Sequence, residues 1–394
     1  MDYRKVSELA KQIRGVSYKP EDIHDGLDKD AVILLRANNI SGGKINFDDI
    51  VYVDRRNVSN EQYLRKGDIL ICASSGSKQL VGKAATVDFD RECTFGAFCK
   101  VVRPNPDIAG YLGVYFQSNR YRQKISEVAI GANINNIRNE HIDDLELLVG
   151  NSDENAEVIK TITLLQCIID RKKGQLEKLD ELVKARFVEL FGDMFLNSEA
   201  WNEAPLESMA DIVSGITKGR KVSEKHLMKV PYMAVSNVKE GYIDWTTVKT
   251  IEATEQEINQ YRLLPDDVLM TEGGDPDKLG RGAIIKTPLE NCIHQNHIFR
   301  VRLDETHILP VYFAEYLQHQ RAKRYFLGCA KQTTGIASIN MRQLKALPVL
   351  IPPLGLQNQF AAFVEQIDKS KAVIQKALDE AQLLFDSLMQ QYFG

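Results

Sequence analysis

ITLLQCIIDRKKGQLEKLDELVKARFVELF, residues 162 to 191, places apolar side chains at alternating steps of three and four. Ile162, Leu165, Ile169, Leu176, Leu179, Val183 and Leu190 fall on this ladder, with Lys172 and Arg186 on two further rungs. Such spacing is the seam of a coiled coil. The positions between are rich in Lys, Glu, Asp and Gln, so the helix has one apolar stripe and needs a partner. A second ladder follows at an offset of 198: Phe360, Phe363, Ile367, Ser370, Ile374, Ala377, Ala381, Leu384 and Leu388. The first helix leads out of one mixed region into another, and the second begins where that other region ends. The two are therefore expected to pack antiparallel. Polar start signals lie at Asn151 to Asn155 for the first, Pro352-Pro353 marks the entry to the second, and Gly192-Asp193 closes the first.

Outward from the helices, the whole chain repeats at a displacement of about 200 residues. Val6-Ser7-Glu8-Leu9-Ala10 matches Leu206-Glu207-Ser208-Met209-Ala210, followed by Gly15 and Gly215. LRANNI at Leu35 to Ile40 matches MAVSNV at Met233 to Val238. Gly67-Asp68-Ile69-Leu70 matches Asp266-Asp267-Val268-Leu269. Cys93 pairs with Cys292, Lys100-Val101 with Arg300-Val301, and Asn136-Ile137-Arg138 with Asn340-Met341-Arg342, so the register drifts from 198 to 204. Each copy holds short alternating apolar runs, Gly/Asn/Asp turns and one helical patch, near Tyr111 to Lys124 or Val311 to Tyr325. The expected fold is α+β: two similar mixed domains, 1–150 and 196–352, separated by two long antiparallel helices, 151–195 and 353–394, related by a pseudo-twofold.

Composition sets the class. With 394 residues, 44% hydrophobic and 26% charged, the chain reads as an ordinary globular protein with room for two cores. No run reaches membrane-span length and Met1-Asp2-Tyr3-Arg4-Lys5 has no signal-peptide layout, so the expected location is cytoplasmic. The six cysteines, Cys72, Cys93, Cys99, Cys167, Cys292 and Cys329, are scattered, which suggests a reducing compartment. Cys292, His294 and His297 have no second ligand cluster at zinc spacing, so a metal is not expected there. The net charge of −4 and pI of about 6.1 argue against strong autonomous binding to nucleic acid.

The layout resembles the specificity subunit of type I restriction-modification systems, over the whole chain. Its most specific match runs from Leu347-Pro348-Val349-Leu350-Ile351-Pro352-Pro353-Leu354-Gly355-Leu356-Gln357 into Phe360, Phe363, Ile367 and Asp368. The stretches Ile168-Ile169-Asp170 and Leu190-Phe191-Gly192-Asp193 are similar to that family's central helix. The resemblance implies that each domain reads half of a bipartite double-stranded DNA site. It also implies two methyltransferase subunits docked on the helices, a restriction subunit that joins to cut DNA, and no chemistry in this chain. A helix of about 30 residues spans roughly 45 Å, comparable with the ~34 Å repeat of successive major grooves. The helices would then set the unread spacer.

Phosphate contact needs only local positive charge. Arg120, Arg122 and Lys124 correspond to Arg321, Lys323 and Arg324, and their duplication makes them candidates. Base contact suits short polar loops on a rigid frame. Candidates in the first half are Ser74, Ser75, Ser77, Lys78 and Gln79, with Lys83 beyond. The matching loop carries Asp275 and Lys278, with Arg281 beyond. Lys218, Arg220 and Lys221 are further candidates, as are Asn133, Asn135, Arg138, Lys331 and Gln332. Gln295-Asn296-His297 reads instead as a core or turn position. For each of these the plain alternative is a solvated face or an ordinary turn.

Absences narrow the rest. Gly76 and Gly82 have five residues between them, where the phosphate loop needs four, and Ala84 rather than Ser or Thr follows Lys83. No Asp/Asn-Pro-Pro-aromatic methyltransferase motif, G-x-G-x-x-G, G-x-S-x-G or H-E-x-x-H occurs, so no cofactor is expected. A scaffold whose two lobes bind proteins is the alternative from another class. A cryptic enzyme with a site between the lobes is a third.

Overall fold

The computed structural model describes residues 2–77, 79–128, 135–220, 226–274, 279–333 and 336–394, with the backbone alone for Asn135, residues 331–333 and Ile336. The protein is α+β, with mixed sheets and two 40-residue helices, Ser152–Phe191 and Leu354–Phe393. It divides into two compact units, Met1–Lys173 with Lys376–Gly394, and Gly174–Gln375. Each long helix therefore contributes to both units.

Local chemistry starts and stops these helices. Asn151 and Glu154 form a reciprocal capping box, each side chain accepting the other's backbone N–H at 2.9 Å. Gly192 takes a φ of +73°, the left-handed stop, and the Trp201 indole donates to the Phe191 carbonyl at 3.0 Å.

In the first unit an antiparallel sheet runs Ala84–Thr86, Ile69–Cys72, Cys99–Pro104, Ala10–Arg14. A second sheet pairs Cys93–Phe95 in parallel with Ala31–Leu35, which continues antiparallel to Val51–Asp54. Both central strands, Ala31–Leu35 and Ile69–Cys72, are wholly buried. Helices Ala109–Tyr115 and Asn119–Val128 bring Tyr111, Tyr115, Phe116 and Tyr121 into one core with Val158 and Ile162 of the first long helix. Met389 and Phe393 of the second long helix join them, with Tyr111 and Phe393 ring centroids 5.2 Å apart.

The second unit repeats this plan, with a sheet ordered Ala210–Ser214, Ile298–Leu303, Val268–Thr271, Gly282–Ile284. Ile293–His294 lies parallel to Met228–Met233, which pairs antiparallel with Lys249–Ala253. Phe187 and Phe191 of the first long helix meet Phe360 of the second at 5.3 and 5.7 Å, and Tyr312 at 5.5 and 4.8 Å. Asp180, earlier in the first helix, pairs with Lys371, later in the second, at 2.5 Å. The helices are therefore antiparallel within this unit.

The repeat extends to individual hydrogen bonds, and it corrects the register read from sequence in three places. Arg103 forks onto Asp68 and Arg302 onto Asp267, a spacing of 199, so Val101 matches Arg300 and Lys100 matches Phe299. A slip of one residue in a strand exchanges its faces. Ile137 N–H donates to the Ala73 carbonyl at 2.8 Å and Ile339 N–H to the Glu272 carbonyl at 2.9 Å. Ile137 thus matches Ile339 rather than Met341.

The long helices begin at Ser152 and Leu354, an offset of 202 rather than 198. A ladder of threes and fours looks alike after sliding one turn, which is why spacing alone misplaced it. Of its rungs, Ile162, Leu165, Ile169, Val183, Phe360 and Ile367 are buried. Leu176, Leu179, Leu190, Phe363, Ile374 and Leu388 are half-buried. Leu384, at 50% exposure, and Ser370 lie off the seam, which instead takes in Phe187, Phe191, Leu378, Phe385, Met389 and Phe393.

Candidate nucleic-acid interface

The first unit carries a concavity of about 600 Å³ lined by Ser17, Tyr18, Arg36, Asn38, Ser74 and Phe98, among others. The backbone beneath it is tightly determined. Gly15 passes so close to Gly96 that an added Cβ would lie 2.1 Å from that residue's carbonyl oxygen, and Val16 N–H donates to the Phe95 carbonyl at 2.7 Å. Only glycine permits this approach. Asn39 is fully buried. Its Oδ1 accepts from Arg36 N–H at 2.8 Å, and its Nδ2 donates to the Asp49 carbonyl at 3.2 Å, pinning the Arg36–Asn38 turn. Arg36 and Asn38 both donate to the Asp49 carboxylate, at 2.8 and 2.6 Å.

The second unit builds the same frame. A Cβ on Gly215 would lie 2.0 Å from the His294 carbonyl oxygen, and Ile216 N–H donates to that carbonyl at 2.8 Å. Buried Asn237 accepts from Ala234 N–H and donates to the Asp244 carbonyl, each at 2.9 Å. His294, buried beneath, has its ring nitrogens 3.1 Å from the Tyr261 carbonyl and 3.3 Å from that of Val213. Burial drives its pKa down to about 4. Cys292 is buried and His297 pairs with Glu272 at 2.5 Å, so this segment is structural at its centre and polar at its tip. Among the described residues there is no cluster of three or more metal-ligating side chains.

The candidate residues sort into three groups. Ser74 and Ser75 form a short strand paired with Asn136 and Asn135, and Ser77, Gln79 and exposed Arg138 lie beside it in sequence or across the strand pair. Gly273 and Gly274 pair with Ser338 and Ala337, whose strand pairs on its other side, antiparallel, with the backbone of Lys331 and Gln332. Lys218 is exposed in the turn after Ile216, and Lys83 and Arg281 are half-buried next to the glycine turns at Gly82 and Gly280. Lys78, Asn133, Lys221, Asp275 and Lys278 lie outside the described residues.

The duplicated basic patch is different. Arg120 donates to the Gly394 carbonyl, and its counterpart Arg321 donates to the carbonyls of Met194 and Phe195 and to Glu203. Both thus anchor the segment that follows a long helix. Arg122 donates to the carbonyls of Val81 and Gln79, Lys323 pairs with Glu240, and Arg324 stacks over Phe195. Lys124, the sixth member, is exposed. An equivalent contact is repeated for Arg120 and Arg321, while Arg122 and Lys323 are held differently in the two units. Arg220 likewise forks onto Glu257, whose carboxyl this guanidinium holds below its usual range.

Sequence reasoning did not single out Ala97-Phe98, and it read Gln295-Asn296-His297 as a core or turn position. The turns Ala97–Phe98 and Asn296–His297 occupy equivalent places, and Phe98, 69% exposed, and His297 stand at their tips. The signal available was their position, just beyond the match of Cys93 with Cys292.

A single α+β frame is thus written twice, with loops of different chemistry at matching positions. A family model described as the type I restriction modification DNA specificity domain matches residues 198–382. The chain is 31% identical to the type I restriction enzyme EcoKI specificity subunit of Escherichia coli K12, over 98% of this chain and 86% of that one. It is 30% identical to the StySPI specificity subunit of Salmonella potsdam, with the same coverage. The S subunit structure from M. genitalium superposes over the whole of this chain and 96% of that one, with a TM-score of 0.58 at 15% identity, a likeness of fold. The chain belongs to the family of type I restriction enzyme specificity subunits, proteins of DNA sequence recognition. Among the described residues no helix is long and apolar enough to cross a membrane.

Proposed function

We propose that each unit reads one half of a bipartite double-stranded DNA sequence, that the two long helices set the spacer, and that the chain performs no chemistry itself. Methyltransferase subunits dock on the helices and act on the bound site, and restriction subunits join the same assembly. The observation that carries this is the identical frame with unlike loops. Asn39 and Asn237, and Asp68–Arg103 and Asp267–Arg302, are kept in both units, whereas Ser74-Ser75 faces Gly273-Gly274 and Phe98 faces His297. Two readers need one scaffold and two vocabularies.

Exposed apolar side chains on the long helices favour docked partners: Leu164, Ile168, Leu383 and Leu384 in the first unit, and Leu182, Val188 and Val373 in the second. The net charge of −4 fits a subunit whose partners supply much of the phosphate grip. Genomic methylation mapped in cells with and without the chain tests the reading. The expected result is a two-part motif that disappears with the chain, and one half of which changes when one unit's mixed domain is exchanged. A motif that survives deletion, or an exchange that alters both halves, overturns it.

A further inference from the structure

The turns Ala97–Phe98 and Asn296–His297 carry an inference that rests on reading each unit as a DNA reader. Both join a strand of the mixed sheet to the central strand of the antiparallel sheet, after Cys93–Phe95 and Ile293–His294 respectively. Both are held from below by backbone bonds from equivalent strand ends. The Phe98 carbonyl accepts from Ala73 and Ser74 N–H at 2.9 and 3.0 Å, and the His297 carbonyl accepts from Glu272 N–H at 3.0 Å. Parallel bridges Val16 to Gly96 and Ile216 to Gln295 hold the residue before each turn. The backbone is therefore set by the frame, and only the tip side chains differ.

Those side chains differ in kind. Phe98 is apolar, 69% exposed, and lines the concavity shared with Tyr18, Arg36, Asn38 and Ser74. At that exposure the ring adds little to the core, and its apolar face stays free for a contact that would remove it from water. In the second unit the tip is an amide and an imidazole, with His297 oriented by Glu272 at 2.5 Å and the Asn296 carbonyl anchored by the Ser214 hydroxyl at 2.6 Å.

We propose that these two turns are specificity elements. Phe98 makes an apolar contact with the C5-methyl group of a thymine in the half-site of the first unit, and Asn296 with His297 reads hydrogen-bonding base edges in the half-site of the second. The major groove offers both signals, a methyl group on thymine and paired donor and acceptor edges on adenine.

The test uses the full chain assembled with its host's methyltransferase subunits, acting on duplexes of the mapped motif and all single base-pair changes. Phe98→Ala loses about 4-fold discrimination at one A·T pair of one half-site, as one buried methyl group implies, and Asn296→Ala loses about 5- to 100-fold at one pair of the other. Replacing that thymine by deoxyuridine, which removes only the methyl group, reproduces the Phe98→Ala loss in the native protein and adds nothing in the variant. Phe98→Leu, which keeps an apolar tip, retains most of the discrimination and guards against a folding defect. Unchanged discrimination at every pair refutes the proposal, as does a deoxyuridine effect that persists in Phe98→Ala. So does a uniform loss at all pairs, the mark of a wedge or a general contact. Absence of any two-part motif with the native chain sinks the broader reading of function, whereas an intact motif that ignores Phe98 and Asn296 sinks this inference alone.

Discussion

Replacing Arg103 by Met and, separately, Arg302 by Met asks one question in two environments. Each guanidinium grips its aspartate through the same fork, Nε to Oδ1 and Nη2 to Oδ2, at 2.8 and 2.7 Å in the first unit and 2.7 and 2.9 Å in the second. Both aspartates are buried, with side chains 2% and 0% exposed, and each also accepts a backbone N–H, from Arg65 or Leu264. The arginines differ: Arg103 is 10% exposed and Arg302 36%. Arg103 also donates to the carbonyls of Glu61 and Tyr63, at 3.1 and 2.7 Å.

Removing Arg103 leaves a buried carboxylate and two carbonyls without their partner, a cost of about 3–5 kcal/mol. Removing Arg302 opens a path for water to Asp267, and solvent screening holds the cost to about 1–2 kcal/mol. Hydrogen exchange of the Ile69–Cys72 and Val268–Thr271 amides reads each unit separately. Arg103→Met is expected to speed exchange in the first strand far more than Arg302→Met does in the second. Adding Asp68→Leu to Arg103→Met is expected to restore part of the loss, because no unpaired charge then remains. Equal losses in the two units, or a double substitution worse than either single one, would refute the assignment of the cost to burial.

Other outcomes follow from the same geometry. His294 has its pKa depressed to about 4 by burial, so the neutral ring favours folding. That contribution is full above the unfolded value near 6.5 and is lost as pH falls toward 4, a total of about 3 kcal/mol. Urea unfolding followed by Trp201 and Trp245, both in the second unit, should show it, and His294→Gln should flatten the dependence. Gly215→Ala would drive a Cβ onto the His294 carbonyl and should cost about 3 kcal/mol, against about 1 kcal/mol or less for Gly219→Asn, which meets no described neighbour within 4 Å and whose φ of +78° asparagine adopts at modest cost. The corrected helix seam separates two apolar positions. Met389→Ala, 4% exposed, should lose about 2–4 kcal/mol in the first unit and Leu384→Ala, 50% exposed, less than about 0.5, by thermal melting.

Much of this architecture is legible along the chain itself. Duplication announces itself because frame residues are chemically constrained: Asn39 and Asn237 must cap a turn, Gly15 and Gly215 must admit a neighbouring backbone. Such positions keep their identity and their order, while loops between them vary in length. The long helices are visible because an apolar stripe of period 3.5 suits the seam of a helix pair and matches no strand. What stays hidden depends on partners distant in sequence. Arg120 and Arg321 read as a surface patch, yet they bond residues 274 and 127 positions away.

Taken alone, then, the sequence determined the class of fold, its twofold repetition and the existence of two rods, since all of these rest on local periodicity and on matches along the chain. Tertiary structure decided the register of those rods, the architectural use of the duplicated arginines and the exposure of Phe98 and His297. The physical reason is that a one-turn slide leaves a heptad stripe unchanged, and that burial and ion pairing belong to whichever surfaces meet in space.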